Sequence, residues 1–129
     1  MYIDMKKQTG FTLVELVVAV AILAILAAIA IPSYTQYIER AECEDGKALI
    51  TGAANFMERY RAQNGGTYTN ASLNGFGSSS QKFGVAITAA AAATYTLTAT
   101  ATAAARLNGS LTLTQANVRG GTLANQCNW

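Results

Sequence analysis

Residues Phe11 to Ile31, FTLVELVVAVAILAILAAIAI, restrict what this chain can fold into more than any other stretch. The run carries one charge, Glu15, and stops against Pro32, the only proline in the protein. At about 1.5 Å per residue, a helix over it is roughly 30 Å long, the thickness of a bilayer's hydrocarbon core. Valine, isoleucine, leucine and alanine fall on every side of that helix. A helix apolar all round has to be covered, either by lipid or by other helices. The remainder of a 129-residue chain suffices for one domain with one core, too small to enclose it easily.

The apolar excess sits mostly in this run. The net charge is +2, of which the first ten residues, MYIDMKKQTG, contribute one unit through Asp4, Lys6 and Lys7. That is too little for bulk attraction to nucleic acid. Lys6 and Lys7 assign the N-terminal end to the cytoplasm by the positive-inside tendency, so the chain beyond the run is translocated. There is no histidine, and Cys43 and Cys127 lie far apart with no CxxC pair. Two cysteines beyond an export signal suggest one disulfide in an oxidising compartment, with two buried free thiols as the alternative.

Two readings of the N-terminus compete. An ordinary secretory signal would use Lys6 and Lys7, an apolar region over Leu16 to Ala27, and cleavage after the small-x-small triplet Ala28-Ile29-Ala30. Against it, Glu15 stands where the apolar region should begin, and a carboxylate entering lipid is costly. The second reading cuts between Gly10 and Phe11. Lys6-Lys7-Gln8-Thr9-Gly10-Phe11-Thr12-Leu13-Val14-Glu15-Leu16 closely resembles the prepilin signature of type IV pilins and type II secretion pseudopilins. The resemblance implies that prepilin peptidase removes residues 1–10 and N-methylates Phe11. It also implies that Glu15 neutralises the terminal amine of a neighbouring subunit as helices enter a filament. Pairing offsets most of the several kcal/mol that a lone carboxylate costs in a low-dielectric core. The bland reading of Glu15 is a carboxylate snorkelling near the membrane face. Small residues such as Ala19, Ala24 and Ala28 permit close helix approach. Pro32 removes a backbone donor, and a helix kink or break is expected just before it.

Beyond Pro32 the pattern becomes amphipathic. Tyr34, Ile38, Ala41, Leu49, Ala53, Phe56 and Tyr60 recur at helical steps, with Glu39, Arg40, Glu44, Lys47 and Glu58 mostly opposite. Arg40–Glu44 and Glu58–Arg61 are spaced as ion pairs worth a few tenths of a kcal/mol each. Gly46 and Gly52 weaken the helix by about 1 kcal/mol each, which packing has to offset. Asn64-Gly65-Gly66 is a stop signal. Residues 67–81 read as a surface connection. Three stretches then have strand character: Lys82–Thr88, Thr94–Thr102 and Ser110–Gln115, the last two alternating with period two. The alanines 89–93 and the stretch Ala103 to Gly109 read as turns.

The segments around Asp45-Gly46-Lys47, Met57-Glu58-Arg59-Tyr60, Asn64-Gly65-Gly66-Thr67-Tyr68 and the ending through Cys127 to Trp129 resemble PilE-like type IVa pilins, related to the DNA-uptake pilin ComP. The implied fold is α+β: a long N-terminal helix packed on an antiparallel sheet of three to four strands. Its parts are a leader over 1–10, a membrane and filament-core helix over 11–35, and a globular head over 36–129. Leu49, Ala53, Phe56 and Tyr60 are expected to pack on Tyr95, Leu97, Leu111 and Leu113. Such pilins usually carry a cysteine just before the strand at Leu111. Here Asn108-Gly109-Ser110 stands there, so Cys43 is the expected partner of Cys127, tying the tail to the helix.

The resemblance implies a pilus subunit, major or minor, serving adhesion, twitching motility or DNA uptake. Its partners would be other pilins, prepilin peptidase, and an inner-membrane assembly platform with cytoplasmic ATPases. It would sit in the bacterial inner membrane as a precursor and in the extracellular pilus afterwards. A DNA receptor is the alternative, with Lys82, Arg106 and Arg119 as candidate phosphate contacts; three scattered cations otherwise mean a solvated surface. A pseudopilin is the other alternative, disfavoured because the calcium site common there needs carboxylates and none follows Glu58. No cofactor, metal site or enzymatic activity is expected, since no nucleophile–base pair can be assembled without histidine and with the head's carboxylates on one helix.

Overall fold

The computed structural model describes residues 10–129; the basic residues Lys6 and Lys7 of the expected leader lie outside them. The chain divides into two compact units, Met1–Gln36 and Tyr37–Trp129. One helix, α1 (Leu13–Gln63), supplies residues to both. Its helical structure continues through Pro32, so the ring causes no break. Proline cannot donate to the carbonyl of Ala28. One turn on, the Thr35 hydroxyl donates to the carbonyl of Ile31 at 3.2 Å.

In the first unit every residue from Leu13 to Ile31 is exposed. In the second, α1 lies on a four-stranded antiparallel sheet in the order β1 (Phe83–Ala90), β2 (Tyr95–Ala101), β3 (Ser110–Thr114) and β4 (Arg119–Gly120). The register runs Leu97 to Leu113 and Ala99 to Leu111, with a bulge in β1 between Ile87 and Ala89. The alternation in β2 is the burial pattern: Tyr95, Leu97 and Ala99 face inward, while the threonines between them face solvent. β1 takes in the first two alanines of the 89–93 run, so the turn is later than the sequence pattern indicates. After β4 a short helix, α2 (Ala124–Cys127), brings Cys127 back to α1.

The helix face differs from the expected one. Of the expected residues Ala53 is buried, together with Cys43, Gly46, Ile50 and Met57, whereas Leu49, Phe56 and Tyr60 lie half-buried on the flank. The seam is built from small residues. A methyl group on Gly46 would stand 3.1 Å from three carbons of the Phe83 ring, and one on Gly52 would meet the Phe76 ring at 3.2 Å. The two glycines that weaken the helix are therefore seats for aromatic rings. The 67–81 connection is also less superficial than its composition suggests. Tyr68 is fully buried and meets Tyr95 edge-on at 4.9 Å.

Candidate functional site

The N-terminal unit presents its expected site residues in order along the backbone. Gly10, Phe11 and Thr12 precede the helix, and Phe11 is 85% exposed. Thr12 caps α1: its Oγ1 accepts the N–H of Glu15 at 3.2 Å, and its carbonyl accepts that of Leu16 at 3.2 Å. Glu15 thus falls in the first turn, where a carboxylate suits the helix dipole. Its side chain is exposed. The acid–amine match expected of it joins two subunits and belongs to an assembly.

In the head, Cys43 and Cys127 form a disulfide across 84 residues, with Cα atoms 5.2 Å apart. Both are buried because α1 turns Cys43 inward one heptad before Ile50 and α2 delivers Cys127 opposite. Trp129 completes the tail, its Nε1 donating to the carbonyl of Thr112 at 2.9 Å.

The three cations expected at a nucleic-acid surface are in different circumstances. Lys82 Nζ donates to the carbonyl of Ala104 at 2.5 Å and stands 3.4 Å from Glu42 Oε1. Arg119 lies over the Trp129 ring at 4.6 Å. Arg106 is exposed and in no ion pair among the described residues. Glu42, which hydrophobic periodicity does not single out, is 4% exposed, and its Oε2 accepts the backbone N–H groups of Arg106 and Leu107. A signal for it does exist in the sequence: Glu42 stands four residues before Gly46, on the buried stripe.

The expected pair Arg40–Glu44 gives way to Glu44–Lys47 at 2.9 Å. Glu58 accepts from the Tyr68 hydroxyl at 2.7 Å rather than pairing with Arg61, whose guanidinium lies over the Tyr68 ring. Burial raises the Tyr68 hydroxyl pKa, helped by the Glu58 hydrogen bond. Burial likewise pushes Tyr95 up to about 12, with Glu58 adding to it. A cleft of about 360 Å³ opens beside the end of α1, walled by Phe56, Phe76 and Arg59. Among the described residues no cluster of three His, Cys, Asp or Glu side chains is placed to hold a metal.

Residues 32–124 match the family described as "Type IV minor pilin ComP, DNA uptake sequence receptor", and residues 5–31 match the prokaryotic N-terminal methylation motif. Curated relatives include the type IV major fimbrial protein FimA of Dichelobacter nodosus, 53% identical over 45 residues, or 35% of this chain. The match spans 28% of that relative's length. Among solved structures, the non-core minor pilin PilV of Neisseria meningitidis superposes with a TM-score of 0.59 at 19% identity, over 67% of this chain and 89% of that one. That likeness is one of fold.

Proposed function

Because the chain belongs to the family of the type IV minor pilin ComP, we propose that it works as a pilus subunit, by polymerisation and not by catalysis. It is a type IV pilin with the long-helix-on-sheet fold. The observation that carries the reading is the apolar stalk: Leu13 to Ile31 is exposed on all sides behind a capped start at Thr12. Surface of that extent is stable only under cover. The bilayer covers it in the precursor, and sister helices cover it in the filament. Cleavage at Gly10–Phe11 by prepilin peptidase supplies the amine that Glu15 of a neighbour meets, and an inner-membrane platform with cytoplasmic ATPases drives the transfer outward. The loss of a donor at Pro32 makes that segment the easiest part of the stalk to stretch. Sheared filaments from cells expressing the full chain test the reading. The polypeptide is expected in the filament fraction; recovery only as a free soluble monomer would refute it.

A second reading, DNA reception by the head, is favoured by the extent of the family match over 32–124. Residues 59–129 carry five cations, Arg59, Arg61, Lys82, Arg106 and Arg119, and no Asp or Glu. Arg106, exposed and in no ion pair among the described residues, adds to the attraction for phosphates. Full-length protein in detergent is expected to shift a labelled duplex at low salt and to release it as salt rises. No shift at low salt would remove this reading and leave the first intact.

A further inference from the structure

The connection between β2 and β3, TAAARLNG over 102–109, has the composition of a slack loop. The structure ties it down along its length. Thr102 donates from its N–H to the carbonyl of Lys82 at 2.8 Å, and from Oγ1 to that of Gln81 at 2.9 Å. Ala105 N–H closes a turn onto the carbonyl of Thr102 at 3.0 Å. Arg106 and Leu107 both donate their N–H groups to Glu42 Oε2, at 2.9 and 3.2 Å, and the Leu107 side chain is buried.

A carboxylate as buried as Glu42 is unfavourable unless it is met by donors or a counter-charge. Here the two amides satisfy one oxygen. Among the described residues the other has no hydrogen-bond partner and is approached only by Lys82 Nζ. The outcome is a fixed backbone at residue 106 from which one guanidinium leaves toward solvent. Lys82 is occupied with Glu42 and Ala104, and Arg119 lies flat on Trp129. Of the three cations, Arg106 is the one presented.

We infer that Arg106 is a groove contact to duplex DNA and that Glu42 is the positioning residue that presents it. The inference rests on the DNA reading above. A guanidinium is drawn into a narrow minor groove by its concentrated negative potential. Entry requires slim neighbours, and Ala103, Ala104, Ala105 and Asn108 add little bulk beside it. A loop already tied also loses less conformational freedom on binding than a slack one.

The test is fluorescence anisotropy of full-length protein in detergent micelles against an A·T-tract duplex at low salt. Arg106→Ala is expected to weaken binding by about tenfold or more. Glu42→Ala is expected to weaken it in the same direction, and the double variant to bind no more weakly than Arg106→Ala alone, since both changes remove one contact. Glu42→Gln keeps an acceptor for the two amides and is expected to recover most of the affinity. If Glu42→Ala fails to fold, Ala103→Gly with Ala104→Gly loosens the loop without touching the core and is expected to weaken binding several-fold. A minor-groove-binding polyamide should displace the wild type. Wild-type affinity in Arg106→Ala, or additive losses in the double variant, would overturn the inference while leaving DNA binding standing. Absence of wild-type binding would instead overturn the DNA reading beneath it.

Discussion

Leu16, Val17 and Leu23 in the stalk are each more than half exposed, while Ile50, Met57 and Leu97 in the head are fully buried. Chemically the two sets are nearly interchangeable. In the head each such side chain contributes about 1.5–3 kcal/mol by leaving water. In the stalk the same atoms contribute nothing to the isolated subunit, and their stabilisation appears only in lipid or among other helices. The head is a fold that stands on its own burial; the stalk is surface awaiting a partner. That difference locates where substitutions should be felt.

The largest effect should come from the stalk, and only in assembly. With Glu15 meeting a neighbour's amine as proposed, Glu15→Ala would leave that amine unmatched in a low-dielectric core, a loss of about 3–5 kcal/mol, or more than two orders of magnitude. Its amount in sheared filaments is expected to fall accordingly while the head melts at the wild-type temperature. Normal incorporation would break the contrast between the two regions.

Next come the head's own ties. Replacing Cys43 and Cys127 together by serine opens a loop of 84 residues and is expected to lower stability by about 4 kcal/mol. The sole tryptophan, Trp129, reports head unfolding in denaturant. Met57→Ala should cost about 2–5 kcal/mol by the same signal. Leu23→Ala, a comparable deletion in the stalk, should move it by less than about 0.5 kcal/mol. Equal effects from these two would contradict the division of roles.

Two smaller effects sharpen the picture of the head. Tyr68 and Tyr95 hold their protons more tightly folded than unfolded, where they titrate near 10. The Tyr95 contribution is therefore complete below pH 10 and lost as pH rises toward about 12, and Tyr68 acts in the same direction. The Trp129-monitored Tm should fall over that window, and less steeply in Tyr95→Phe. Lys47→Ala, which removes the partly exposed pair with Glu44, should cost only about 0.2–0.5 kcal/mol.

The same contrast explains what could be read in advance. The stalk announces itself because unbroken apolarity needs no context: Phe11 to Ile31 is conspicuous before any fold is known. The strands were also legible, because strict alternation in TYTLTATAT fixes which side of β2 faces inward. The helix face was not. Hydrophobic counting finds Ala53 but also favours Leu49, Phe56 and Tyr60, whereas close approach of the sheet selects Gly46, whose value is that it is small. Phe83 fills that space, and no local pattern near residue 46 reveals a partner 37 residues away. Glu42 escaped for a related reason: its donors, the amides of Arg106 and Leu107, lie 64 and 65 residues off. The Cys43–Cys127 pairing follows from the family resemblance, through the cysteine that is missing near Ser110, and the structure contains that bond.

The account depends most on the stalk surviving in the mature protein, freed at Phe11. N-terminal sequencing with intact mass of the processed polypeptide measures this directly. The expected result is a chain beginning at N-methylated Phe11 with the whole apolar run retained. A chain beginning at Ile31, as ordinary signal cleavage after Ala30 would leave it, would contradict the account.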